Sequence, residues 1–217
     1  MTLRSTIFSF FPATVILLGF ISFLWVCDSP GFLSIAALFF SFYGFPLLIH
    51  KIHDHFYPIQ EGISYLQGEE YSPWWGSQQI QSIYITFSFL ESVLRLIPGA
   101  FSFWLRLWGA KVGKNIYWTP RLEIADRSLI EIGDNVVFGQ GCGIFSHVIK
   151  PKKQDLMLYV KKVKIGSNVF IGGGSYIAPG VVVEDETFIS TESRLYPNKS
   201  IEKDFNNPNN QLSNPQI

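Results

Sequence analysis

A large apolar residue returns at every sixth position through most of the last hundred residues. Ile132, Phe138 and Ile144 open three successive hexads, Ile132-Gly133-Asp134-Asn135-Val136-Val137 being the first. After an interruption the beat resumes at Ile165, Ile171, Ile177, Val183, Ile189 and Leu195, usually with Gly or another small residue next. A helix repeats near 3.6 residues and a lone strand near 2, so neither gives this spacing. Short strands joined by tight corners do, as in a parallel β-helix. Three hexads close one triangular coil, so Ile132, Ile165 and Val183 are predicted to stack along one edge. Each corner needs a small residue, often with positive φ, and Gly has no Cβ to forbid that. Val112-Gly113, Trp118 and Ile124 predict an earlier coil. The step from Ile124 to Ile132 is two residues too long for a hexad, which predicts a bulge there.

The N-terminal part is different in kind. Ile7 to Cys27 carries no charge and is long enough to cross a ~30 Å hydrocarbon core. Asp28-Ser29-Pro30-Gly31 is a turn, and Phe32 to Ile49 is a second uncharged run. Two spans around so short a turn read as a helical hairpin. A cleaved leader fits poorly: the run is too long, Arg4 is its only basic start, and no small-residue cleavage site precedes Asp28. Arg4 and Lys51 flank the spans while the turn holds only Asp28, which keeps both ends of the hairpin cytoplasmic.

Residues 57–108 follow. Ile80, Ile83, Tyr84, Phe87, Leu90, Leu94 and Ile97 recur at three-and-four spacing, and Glu91 and Arg95 are placed to pair on one helix face. Pro98-Gly99 breaks that helix before Phe101, Trp104, Leu105 and Trp108. Two amphipathic helices in the membrane interface fit this pattern. A third span is the alternative, and Glu91 and Arg95 make it expensive. His50, His53 and His55 with Asp54 invite a metal reading, but basic and aromatic residues are expected where a span ends. No metal site is assigned. Cys27 and Cys142 are too far apart in sequence to imply a disulfide framework, and Cys142 reads as a small core residue. The balanced formal charge exerts no global pull toward nucleic acid.

His147 falls where the hexads stop, at Ile144-Phe145-Ser146-His147, and the rhythm returns near Ile165. Val148 to Lys162 is therefore a loop thrown out of the coil. A histidine beside such a loop can accept a proton near neutral pH, and the Ser146 hydroxyl or corner N–H groups could meet an oxyanion. A surface histidine without a role is the alternative. Lys150, Lys152 and Lys153 open the loop and Lys161, Lys162 and Lys164 close it, with Asp155 its only acid. Such a cluster suits CoA phosphates, an anionic acceptor or lipid head groups, or it is simply a solvated charge run.

The run IGSNVFIGGGSYIAPGVV, Ile165 to Val182, closely resembles the left-handed β-helix acyltransferases with hexapeptide repeats. Leu105 to Gly113 also resembles the entry segment of their membrane-associated members. The resemblance covers roughly residues 105–200. It implies a left-handed parallel β-helix, so that with the segments read above the chain is expected to be mainly β, this β-helix following an α-helical transmembrane hairpin and interfacial amphipathic helices. It implies an acyl-CoA cosubstrate, most often acetyl-CoA, a hydroxyl acceptor, a homotrimer with the site between adjacent solenoids, and His147 as the base. Carried over by position, the CoA cleft is expected to use Phe170, Gly172, Gly173, Ala178, Pro179, Gly180 and Thr191, with Lys152 and Lys153 as phosphate partners. The expected divisions are 1–56 hairpin, 57–108 interfacial segment, 109–203 β-helix and 204–217 disordered tail. The expected setting is a membrane, a bacterial inner membrane with the β-helix on its cytoplasmic side and lipids as partners. The acceptor is expected to be a glycan or lipid-linked sugar. A non-catalytic scaffold for a membrane-bound complex is the competing expectation.

Overall fold

A computed structural model describes residues 2–67, 69–152 and 155–203. Lys153 and the tail 204–217 lie outside the described residues. The chain forms two compact units. The first holds residues 1–60, 64–87 and 151–157, and the second holds 61–63, 88–150 and 158–217. The unit boundary at 87/88 falls inside the segment 57–108 that the sequence reads as one piece.

In the first unit, Leu3–Asp28 and Phe32–Phe56 are helical over 26 and 25 residues and are long and apolar enough to cross a membrane. Gly31 starts the second: the Ser34 hydroxyl accepts the Gly31 N–H at 3.0 Å and donates to Ser29 O at 2.9 Å. The two helices meet where Gly19 faces the Phe42 ring. Nearby, the Ser22 and Ser41 hydroxyls bond at 2.9 Å, out of solvent. Proline at 46 lacks an N–H and crowds the carbonyl four residues back. The backbone widens into a π-turn over Phe40–Gly44, and the released Phe42 carbonyl accepts the Tyr84 hydroxyl at 2.6 Å.

Helix Pro73–Thr86, capped by Ser72, buries Trp74, Ile80, Ile83 and Tyr84 within the same unit. The expected long amphipathic helix is thus split. Phe87 ends one helix and Phe89–Arg95 begins another in the second unit.

The second unit is a parallel β-helix of triangular section. One face pairs Lys111–Val112, Ile130–Ile132, Val163–Ile165, Val182–Val183 and Ser200–Ile201 in coil order. A second pairs Val137–Phe138, Phe170–Ile171 and Phe188–Ile189; the third pairs Glu123–Ile124, Gly143–Ile144, Tyr176–Ile177 and Arg194–Leu195. Ile132, Ile165 and Val183 are direct register partners, as the spacing predicts. Each stack buries apolar surface that no single coil could cover alone.

The corners differ from the expectation in one respect. The glycines that follow the leading apolar residue, Gly133 and Gly166, do not carry the positive φ. That falls two residues later, on Asn115, Asn135 and Asn168, with φ of 56°, 56° and 57°. Asparagine tolerates this region because its short amide bonds locally. Here the amides form a ladder, Asn115 Nδ2 to Asn135 Oδ1 and Asn135 Nδ2 to Asn168 Oδ1, both 3.0 Å. Gly133 is needed instead because the next coil passes close: a Cβ there would lie 2.7 Å from Ser167 N.

Candidate active site

The predicted bulge between Ile124 and Ile132 is present, and it carries chemistry. Its residues Ala125, Asp126, Arg127 and Leu129 are all buried. Backbone bonds hold its ends: Ala125 N–H donates to Ile144 O and Leu129 N–H to Asp126 O, each at 3.1 Å. Asp126, 2% exposed, is aimed at the point where the hexads stop. Its Oδ2 accepts the Ser146 N–H at 3.0 Å and lies 2.7 Å from His147 Nδ1. A carboxylate on Nδ1 favours the tautomer protonated there, which leaves the ring's lone pair on Nε2. His147 is partly exposed and lines a cavity of about 390 Å³.

The cavity wall is mostly apolar. Phe145 and Tyr176 stack with centroids 5.8 Å apart, and the Arg194 guanidinium lies 5.7 Å from the Tyr176 centroid. Ala178, Pro179 and Tyr196 also line it. Phe145, Tyr176 and Arg194 come from neighbouring coils of the third face, so the hexad phase sets which side chains converge.

Ser146 takes a different part from the expected one. It is fully buried and its hydroxyl donates to Leu129 O at 2.8 Å, so it ties the bulge to the coil and does not face the cavity. Of the expected donor-cleft residues, Ala178 and Pro179 lie beside His147. Phe170 stands on the second face, stacked on Phe188 at 4.9 Å. Gly172 and Gly173 sit at the following corner, and exposed Thr191 lies on the next coil. None of these four lines the cavity. Gly180 N–H donates to Lys161 O at 3.2 Å, at the base of the arm.

The interruption itself is a β-hairpin arm, His147–Lys152 and Asp155–Val160, with more order than the expected loop. Its lysines are dispersed. Lys152 donates to the Tyr65 hydroxyl at 3.3 Å in the first unit. In the solenoid, Lys161 donates to Asn198 Oδ1 at 2.9 Å and Lys162 reaches Glu131 at 3.4 Å. Lys150 and Lys164 are exposed. Cys142 points into the core and burial raises its thiol pKa. Among the described residues, no group of three or more His, Cys, Asp or Glu could hold a metal ion. His53 Nε2 instead bonds the Tyr71 hydroxyl at 2.7 Å.

Glu91 and Arg95 do not form the expected helix-face pair. Glu91 binds Arg127, with Nε to Oε1 at 2.6 Å and Nη2 to Oε2 at 2.9 Å. Arg95 donates to Leu122 O at 2.9 Å and lies over the Phe101 ring. Sequence reasoning missed Asp126, Arg127, Tyr176 and Arg194. The eight-residue step was the available signal for the first two.

Residues 162–196 match the family model described as bacterial transferase hexapeptide (six repeats). The chain is 31% identical over 85 residues to the galactoside O-acetyltransferase of Escherichia coli, a match covering 38% of this chain and 42% of that protein. It is 26% identical over 148 residues to the delta-poly-L-ornithine synthetase of Acinetobacter baumannii, covering 66% of this chain and 10% of that protein. The chain therefore spans less than half the length of either relative. A hexapeptide-repeat acetyltransferase of Vibrio cholerae, solved with acetyl-CoA, aligns with TM-score 0.47 at 16% identity, over 64% of this chain and 87% of that one. Residues 162–196, whose strands fall on all three stacked faces, are thus similar to the bacterial transferase hexapeptide repeats.

Proposed function

We propose that this chain is a membrane-anchored O-acyltransferase that moves an acyl group, acetyl in the first instance, from CoA to a hydroxyl of a glycan or lipid-linked sugar. The observation that carries the reading is the buried Asp126 carboxylate 2.7 Å from His147 Nδ1, at the wall of an apolar cavity. Asp126 orients the ring and holds Nδ1–H. His147 Nε2 takes the acceptor's hydroxyl proton as its oxygen attacks the thioester carbonyl. A C–O bond forms and the carbonyl becomes a tetrahedral oxyanion. Its collapse breaks the C–S bond, and His147 returns the proton to the departing thiolate. The products are an ester and CoA. The apolar wall formed by Phe145, Tyr176 and Pro179 keeps water from competing for the acyl group.

The working unit in this reading is a homotrimer. His147, Ala178 and Pro179 form one wall of each cleft, and the second face of an adjacent copy, with Phe170, Gly172, Gly173 and Thr191, supplies the other. Lys152 and Lys153 serve donor phosphates. The exposed apolar side chains of the two long helices, among them Phe10, Leu17, Phe20, Phe32 and Phe39, support a hairpin embedded in lipid. A membrane-held acceptor would then meet the site at raised effective concentration. Flanking Arg4 and Lys51 favour the cytoplasmic side for the β-helix.

The test is transfer of labelled acetyl from acetyl-CoA to extracted bacterial glycolipids and glycans by the full chain in detergent. Label appearing in an ester that mild alkali releases supports the reading. Protein that binds no acetyl-CoA and labels nothing points to a scaffold. Proteolysis of sealed vesicles checks the topology: C-terminal cleavage in right-side-out vesicles contradicts it.

A further inference from the structure

The Asp126–His147 pair is only as well aimed as the bulge that carries Asp126. That bulge has two residues more than a hexad requires, so strand pairing alone does not fix it. What fixes its middle is Arg127, one residue from Asp126. Its guanidinium meets the Glu91 carboxylate in a fork at 2.6 and 2.9 Å, with the two side chains 1% and 5% exposed. Trp104 Nε1 donates to the same Glu91 Oε1 at 3.0 Å. Glu91 comes from helix Phe89–Arg95 and Trp104 from helix Ala100–Leu107. Both helices precede the first coil, and both belong to the solenoid's unit.

We propose that the Glu91–Arg127 pair is a positioning element for His147, setting the bulge so that the Asp126 carboxylate meets Nδ1. The inference rests on the reading of His147 as the base. A buried ion pair is a poor stabiliser, because desolvation offsets most of the attraction and well-packed apolar side chains often serve as well. Its particular property is direction. A planar guanidinium accepts a carboxylate only in a narrow range of orientations, whereas apolar contacts leave a backbone segment free to settle by small shifts. An error of about 1 Å at Asp126 would break a 2.7 Å hydrogen bond. The two pre-solenoid helices are thus part of the active-site scaffold.

The readout is the His147 ring. The full chain in detergent, labelled with ¹⁵N-histidine, gives spectra in which His147→Ala assigns the His147 signals among the four histidines. Asp126→Ala, which has no acceptor there, supplies the spectrum of the broken pair. The double variant Glu91→Leu/Arg127→Met removes both charges together, so neither ion is left buried alone, although Trp104 Nε1–H loses its Glu91 acceptor. It is expected to stay folded while His147 loses its Nδ1–H signature and moves to the Asp126→Ala spectrum. The isosteric Glu91→Gln is read in the same way, should the double variant fold poorly. A folded variant whose His147 spectrum matches wild type overturns the proposal. Because this readout is a tautomer and not turnover, it can fail while the acyl-transfer reading stands, and the reverse also holds.

Discussion

Asp126→Asn isolates the chemistry from the fold. Asp126 Oδ2 receives two donors, Ser146 N–H at 3.0 Å and His147 Nδ1 at 2.7 Å. Asparagine has the same shape but only one accepting oxygen. Both donors meet the same oxygen, so an amide oxygen held at that position by the Ser146 N–H still accepts from Nδ1, but the negative charge is gone. A neutral acceptor holds the Nδ1–H tautomer less strongly and no longer stabilises the imidazolium that forms when Nε2 takes a proton. A hydrogen bond to a charged group contributes about 1.5–3 kcal/mol, which at ~1.4 kcal/mol per tenfold biases the tautomer roughly ten- to hundredfold. The substitution removes the charge-assisted part of that bias, so turnover should fall roughly ten- to hundredfold. Asp126 does not line the cavity, so the acetyl-CoA KM should hold. The assay is steady-state thiol release from acetyl-CoA by wild type, Asp126→Asn, His147→Ala and the double variant. The two losses should be non-additive, the double no slower than His147→Ala. Folded Asp126→Asn with turnover within about twofold of wild type would refute the reasoning.

Two further predictions concern the solenoid. A Cβ at Gly172 would lie 2.5 Å from Ser190 C and 2.7 Å from Thr191 Cα, and backbone cannot rotate away. Gly172→Ala should cost about 1–3 kcal/mol, while Gly141→Asn, at φ 73° in open space, should be near neutral; equal melting temperatures would contradict this. Glu131 bonds Lys111 at 3.0 Å, and that bond chiefly lowers its carboxyl pKa. Its contribution is therefore present above the unfolded value of about 4.3 and lost as pH falls through the folded one. Urea melts of Glu131→Gln should show a shallower loss of stability than wild type below about pH 4.3, and parallel acid limbs would rule the linkage out.

How much of this could be read beforehand depends on the range of the interaction. The hexad beat is local, and it placed Ile132, Ile165 and Val183 in register and located both the bulge and the arm. It did not reveal what the bulge was for, because Asp126 meets His147 only once one full coil has turned. Glu91 and Arg127 are separated by a helix and the first coil, and the nearer Arg95 offered a plausible i, i+4 partner. Burial decides that contest: Arg127 is enclosed, while Arg95 finds the Leu122 carbonyl and the Phe101 ring. Phe170 shows how hexad phase assigns a side chain to a face. It precedes Ile171, which stacks with Phe138 and Ile189, whereas Tyr176 precedes Ile177 on the face that bears the cavity. Corner glycines divide in a related way: positive φ selects Gly141, Gly174 and Gly180, close approach between coils selects Gly133 and Gly172, and only the stacked structure separates the two.

The most direct measurement of the central claim is acetyl-CoA binding and thioester turnover by the purified full chain, wild type beside His147→Ala. The account predicts that both bind acetyl-CoA with similar affinity and that only the wild type turns it over. Equal turnover by the two proteins, or no binding by either, would contradict it.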